Sequence, residues 1–299
     1  MNFSIAIPTY NREKDLEECL NSILEQTVLP SEILIVDDGE LAIDFINLFK
    51  NKAEQKNIIF NYYKKNHLVE KRGLAESKNI IFRIASSEIF FILDDDLILD
   101  KNFFENIMKT WEKSDNKNLI GVGGIIVNSR KKIFLEKIYE NFFGLNSKFI
   151  WDINDVGFQV WNDKISKETK GFYSHGGVCS YKKTLVNKVG DFYTFQGGRT
   201  ALEDVEFCLR AKKMGYYFII NPEAKVIHKQ SKISREKEIE IGFKESFNRR
   251  IIFQKHCKKS LKNYLWFYWA NIGWILKQFL AGHFNRGIGM IKGLFSPIE

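Results

Sequence analysis

Phe90-Phe91-Ile92-Leu93-Asp94-Asp95-Asp96-Leu97-Ile98-Leu99 decides how the rest of the chain is read. Four apolar residues run directly into three consecutive carboxylates, and apolar residues resume at once. A short continuous apolar run suits a strand buried on both faces, as in a parallel sheet. The carboxyl end of such a strand is where open α/β sheets bind ligands. Three adjacent acids there repel one another, and burial raises their pKa values. A cation relieves both costs, and oxygen ligands favour a hard ion, Mg²⁺ or Mn²⁺, over zinc. In extended backbone Asp94 and Asp96 share one face and Asp95 points the other way. The competing reading is a solvated acidic turn after a strand.

Upstream, apolar runs alternate with helical periodicity. Residues 3–7 and 32–36 read as strands, the second ending in Asp37-Asp38-Gly39. Residues 58–63 read as a third strand. Residues 15–26, 41–49 and 74–85 read as helices. This alternation implies βαβ units and an α/β fold with a largely parallel sheet. Two strands end in aspartates, so both acidic ends fall on one edge of the sheet. Downstream, residues 102–111 read as helix and 120–127 as strand, while 130–170 shows no clear period. The paired glycines Gly176-Gly177 allow a close backbone approach or a bend. Thr200-Ala201-Leu202-Glu203 has the form of a capping box opening a helix that runs to Gly215. Residues 217–220 and 225–227 read as short strands separated by Pro222.

The 299 residues are 44% hydrophobic and 27% charged, a globular composition. The net charge of +8 suggests an anionic partner. Cys19, Cys179, Cys208 and Cys257 are scattered, which argues against zinc and disulfides and fits a reducing cytoplasm. No signal peptide and no uninterrupted apolar stretch of about eighteen residues is visible. There is no G-x-G-x-x-G and no G-x-x-x-x-G-K-[ST], so phosphate binding rests on metal and side chains. Arg72 and Lys78 could neutralise phosphate oxygens, or serve as surface cations. Glu203 has a capping explanation and Asp204 has none, so Asp204 is the better general base. His228 becomes a metal ligand only if its strand returns to the acidic cluster.

Taken in order, these residues resemble family 2 glycosyltransferases of the GT-A fold. The matching stretches are Pro8-Thr9-Tyr10-Asn11-Arg12, Val36-Asp37-Asp38-Gly39 and Arg72-Gly73-Leu74-Ala75 with Lys78-Asn79. Leu93-Asp94-Asp95-Asp96, Glu203-Asp204 with Leu209-Arg210, and His228 follow. Glu40 stands where a serine is usual and Lys78 where an arginine is usual. The resemblance covers about residues 1–230. It implies a GT-A catalytic domain over 1–230, with a nucleotide-binding half (1–128) and an acceptor-binding half (129–230). It implies metal-dependent, inverting transfer of a sugar from a nucleotide-diphosphate donor to a glycan or lipid-linked hydroxyl, in surface polysaccharide or glycan assembly. By position, Pro8, Tyr10, Asp38, Arg72, Lys78, Asp94 and Asp95 fall on the nucleotide and donor. Asp96 and His228 fall on the Mn²⁺ or Mg²⁺, and Asp204 on the catalytic base. Gly176, Gly177 and Glu203 fall near the reacting sugars. The rival readings are a sugar-nucleotide nucleotidyltransferase and a basic nucleic-acid-binding protein; the second lacks any recognisable signature, so no nucleic-acid partner is expected.

Residues 231–299 read as a basic, aromatic-rich helical appendage. Trp266, Phe267, Tyr268, Trp269 and Trp274 crowd one stretch flanked by lysines, which suits a membrane interface. Asn271, Lys277 and Gln278 argue against spanning. The expectation is peripheral contact through 258–295 on the cytoplasmic face of the membrane, with internal packing or a homodimer interface as the alternatives.

Overall fold

The computed structural model describes residues 2–114, 116–195, 201–231, 233 and 236–298. Its first half alternates β1 (Phe3–Thr9), α1 (Glu13–Leu24), β2 (Glu32–Asp37), α2 (Ile43–Glu54), β3 (Ile59–Lys64), α3 (Leu74–Ile84) and β4 (Ile89–Leu93). β5 (Leu97–Leu99), α4 (Phe103–Lys113) and β6 (Leu119–Ile126) follow. Strands β1, β2 and β4 are buried at every position. The reason is a layer of helices on each face. Along β4, Phe90 and Ile92 join the core with Ile80 and Ile81 of α3, while Phe91 and Leu93 join Leu16, Leu20 and Ile23 of α1. The period of two thus survives inside a run that is apolar throughout.

The stretch without a readable period, 130–170, contains α5 (Phe134–Phe142), β7 (Asp152–Ile153), β8 (Gln159–Val160) and the start of β9 (Thr169–Gly171). Then come β10 (Val178–Lys182), α6 (Lys183–Val189), α7 (Glu203–Lys213) and β11 (Tyr217–His228). The nine-stranded sheet has the order β3-β2-β1-β4-β10-β6-β11-β5, with β9 also on β11. β1, β2, β3, β4, β6 and β11 run one way, and β5, β9 and β10 the other. The sheet is therefore mostly parallel and flanked by helices, as a GT-A fold is.

Two boundaries differ from expectation. The short strands on either side of Pro222 are one strand, β11, whose register against β6 shifts between Ile220 and Lys225. Proline is tolerated at such an irregularity because no ladder bond is asked of it there. The helix expected to open with a capping box begins at Glu203, after Leu202 in a left-handed conformation (φ 75°). Thr200 lies outside the described residues. Glu203 is the first helical residue rather than the third, and its carboxylate makes an ion pair instead of a cap.

The tail folds as α8 (Glu238–His256), α9 (Leu261–Leu280) and α10 (Phe284–Phe295). Phe253, Phe267, Ala270, Ile275, Met290 and Leu294 form a core of their own with Phe143, Leu145, Val156 and Phe158. Glu245 of α8 ties the helices by accepting from Trp274 Nε1 at 2.7 Å and from Arg286 Nη2 at 2.9 Å. α9 buries two amides beside its apolar core residues. Asn271 and Gln278 are buried, and Lys277 pairs with Glu140 at 2.9 Å. Leu261, Leu265, Trp269, Ile272, Leu276 and Leu280, at helical spacing along one side, are all exposed. Among the described residues no helix is long and apolar enough to cross a membrane.

Candidate active site

Parallel register sets Thr9 opposite Asp37, and Ala6 opposite Ile92, so β1, β2 and β4 end on one edge. The acids of both aspartate-ended strands meet there. The backbone turns after Asp94 instead of staying extended, so the strand-face argument for Asp94 and Asp96 does not hold. They converge for another reason. β5 folds back antiparallel on β11 and sets His228 opposite Leu97. One donor atom each from Asp94, Asp96 and His228 then lies within 4.8 Å of the others. His228 Nε2 is 3.0 Å from Asp96 Oδ1, and the Ser231 N–H donates to Asp96 Oδ2 at 2.9 Å. Burial acts to raise the Asp96 carboxyl, but His228, the Ser231 amide and Arg12 outweigh it and hold it below its ordinary value. Two carboxylates and an imidazole facing one point are a donor set that fits a divalent cation such as Mn²⁺. Asp95 goes elsewhere. It accepts from Thr9 Oγ1 at 2.8 Å and from Arg12 at 3.0 Å, and burial raises it to about 6.

Along the same edge, Asp38 accepts from the Gly73 N–H at 2.8 Å and pairs with Lys65 at 2.8 Å. These bonds pin the loop that leads into α3, and each carboxylate oxygen keeps a further acceptor site. Pro8 is buried at the end of β1, Tyr10 is half-buried beyond it, and Arg72 is exposed beside Gly73.

Asp204 and Glu203 open α7 but meet different surroundings. Glu203 is buried against Lys78, with Nζ to Oε1 at 2.8 Å. Burial acts to lower the Lys78 ammonium, but the charges of Glu203, Asp204 and Asp94 outweigh it and raise it. Asp204 is half-buried and accepts from Tyr173 Oη at 3.1 Å. Burial, then the Asp204 charge, push the Tyr173 phenol well above its ordinary range, so it remains a donor. The two glycines stand between the acidic groups. A Cβ at Gly177 would fall 2.1 Å from Asp94 Oδ1, and one at Gly176 would fall 2.8 Å from Asp204 Cβ and 2.9 Å from Lys78 Nζ. Their missing side chains let Asp94, Asp204 and Lys78 approach one short segment.

Arg12, Lys65, Tyr173 and Ser231 complete these networks, and none was singled out from the sequence. Arg12 lies inside the Pro8–Arg12 stretch, and Tyr173 just before the glycine pair; only that nearness could have flagged them. Lys65 and Ser231 sit in segments without a recognisable pattern.

Residues 4–172 match the family described as Glycosyl transferase family 2, and residues 89–288 match Glycosyl transferase family group 2. The chain belongs to glycosyl transferase family 2. A relative from Methanococcus voltae is a dolichyl N-acetyl-alpha-D-glucosaminyl phosphate 3-beta-D-2,3-diacetamido-2,3-dideoxy-beta-D-glucuronosyltransferase. It is 29% identical over 230 residues, which are 74% of this chain and 65% of that protein. The chain thus spans a little under two thirds of that relative's length. The fold is similar to that of a Pyrobaculum calidifontis mannosyltransferase solved with GDP-Man and Mn²⁺ (TM-score 0.61, 17% identity, covering 99% of this chain and 88% of that one). It is also similar to S. aureus TarS with UDP-GlcNAc (TM-score 0.60, 15% identity, covering 98% and 82%).

Proposed function

We propose that the chain transfers a sugar from a nucleoside-diphosphate donor to a hydroxyl of a glycan or lipid-linked saccharide, with inversion. The observation that carries this reading is the pairing of two acidic groups across Gly176-Gly177: Asp94, Asp96 and His228 on one side, half-open Asp204 on the other. Asp38, Tyr10 and Arg72 line the edge where a nucleoside would lie. A divalent cation held by Asp94, Asp96 and His228 would supply positive charge to offset that developing on the departing diphosphate. Asp204 takes the proton of the attacking hydroxyl, a contribution of typically ~10²–10⁴-fold. Tyr173 holds the Asp204 carboxylate in place, and the Lys78–Glu203 pair keeps a second, buried carboxylate beside it neutralised. The phosphate-linked lipid in the name of the Methanococcus voltae relative supports a lipid-linked acceptor.

The test is a screen of nucleotide sugars for Mn²⁺-dependent thermal stabilisation, since a ligand that binds only the folded state raises its stability. A hit that vanishes in Asp96→Asn, with the fold retained, supports the assignment. A hit that persists unchanged in that variant rejects it.

The exposed stripe of α9 supports the reading of peripheral contact with a membrane. An exposed apolar stripe along one side of a helix is costly in water and favourable at a lipid interface. The expected result is co-sedimentation with vesicles that Leu265→Ser/Leu276→Ser abolishes. A chain that stays off vesicles and dimerises through the same residues would assign the stripe to a second copy.

A further inference from the structure

Away from the catalytic edge, a cavity of about 480 Å³ lies between the end of α7, the β7–β8 hairpin and the link from α8 to α9. Asp204 opens α7 and Lys213 closes it, so cavity and base stand at opposite ends of one helix, roughly 13 Å apart by its rise. Lys213, Lys258 and Lys262 line the cavity, and none of them makes an ion pair among the described residues. Lys212 also reaches it but is taken by Asp152 at 2.6 Å, and His256 by Glu206 at 2.9 Å. The one carboxylate in the lining is Asp155. Ser260 caps α9 here by accepting from the Asn263 N–H at 3.2 Å, so the start of that helix lies in the lining. Three lysines outside any ion pair, set against one carboxylate, and a helix start around one concave space favour a doubly charged oxyanion.

The same first turn begins the apolar stripe of α9. Leu261 and Leu265, at 78% and 66% exposure, flank Lys262. A ligand filling the cavity therefore sits beside exposed apolar side chains as well as the lysines. We propose that the cavity holds the phosphate of an anionic membrane lipid whose chains lie along the stripe that starts at Leu261. This rests on the membrane contact proposed above.

Cys257 lines the cavity and is partly exposed, whereas Cys19, Cys179 and Cys208 are buried. Its alkylation in the full chain, followed by mass spectrometry, reports occupancy without reference to transfer activity. Burial pushes the thiol up to about 11, so the reaction is run at about pH 9 to keep enough thiolate. Phosphatidylcholine vesicles containing phosphatidate should slow alkylation about tenfold at roughly ten times the Kd, since only unliganded protein reacts. Pure phosphatidylcholine vesicles should sediment the chain without protecting Cys257. Inorganic pyrophosphate should protect it in solution. Lys213→Gln/Lys262→Gln should lose both protections while still sedimenting with phosphatidylcholine. Equal protection by the two vesicle types overturns the site, and so does its absence with phosphatidate when the chain sediments. If the chain sediments with neither vesicle, the membrane reading itself has failed. Protection by pyrophosphate then assigns the cavity to a free phosphate and overturns the lipid.

Discussion

The Lys78 ammonium and the Glu203 carboxylate stand 2.8 Å apart, and each is nearly shut off from water. The residues are far apart in sequence, on α3 and α7, so this pair clamps the two halves of the catalytic edge. Removing one partner leaves the other as a buried, uncompensated charge. Lys78→Met should therefore cost about 3–5 kcal/mol of stability. Lys78→Met/Glu203→Leu should recover most of it, because neither charge then remains. Denaturant melts of the three proteins check this. A Lys78→Met protein of undiminished stability that has lost donor affinity would instead make Lys78 a phosphate contact.

Asp204 and Glu203 should separate by readout. Asp204→Asn keeps its hydrogen bond from Tyr173 but cannot take a proton, so kcat should fall ~10²-fold or more with donor binding retained. Glu203→Gln should act mainly through stability, by unpairing Lys78. Steady-state kinetics beside thermal melts decide the matter, and an Asp204→Asn enzyme of normal kcat would remove Asp204 from the role.

Gly177→Ala tests the packing against Asp94. The added Cβ would lie 2.1 Å from the carboxylate, which must swing away. A metal ligand displaced in this manner should weaken Mn²⁺ binding about 10–100-fold, the range seen when groups supporting metal ligands are lost. Gly176→Ala presses on Asp204 and Lys78 instead, so it should lower kcat with Mn²⁺ affinity nearly intact. Titration of Mn²⁺ by calorimetry distinguishes the two.

Glu32 sets an acid-side limit on stability. It is buried at the start of β2 and accepts from Ser86 N at 3.0 Å, Ser86 Oγ at 2.7 Å and Asn61 Nδ2 at 2.8 Å. Burial acts to raise its carboxyl, yet Ser4, Ser86 and Asn61 outweigh that and hold it below the ordinary 4.5. A depressed folded-state pKa contributes stability above the unfolded value and loses it as pH falls through the folded one. Glu32→Gln should cost about 1–3 kcal/mol at neutral pH. The gap from the parent should shrink below pH 4.5, where the parent also becomes protonated. Melts across that range would show parallel curves if Glu32 carried no such role.

Local pattern alone determined the alternation of strands and helices, the burial of Phe90 to Leu93, and the placing of Asp38 and Asp94 at strand ends. Each follows from which side of a short segment is apolar, and a few residues hold that information. The tertiary structure alone decided that His228 reaches Asp96, because the pairing of β5 with β11 depends on register between strands more than a hundred residues apart. It also decided that Glu203 belongs to Lys78 rather than to a helix cap, and that Asn271 and Gln278 turn inward while the leucines of α9 face out. A charge finds its partner, and a helix its buried face, only when another element arrives to compete with water. No window of neighbouring residues records which element that will be.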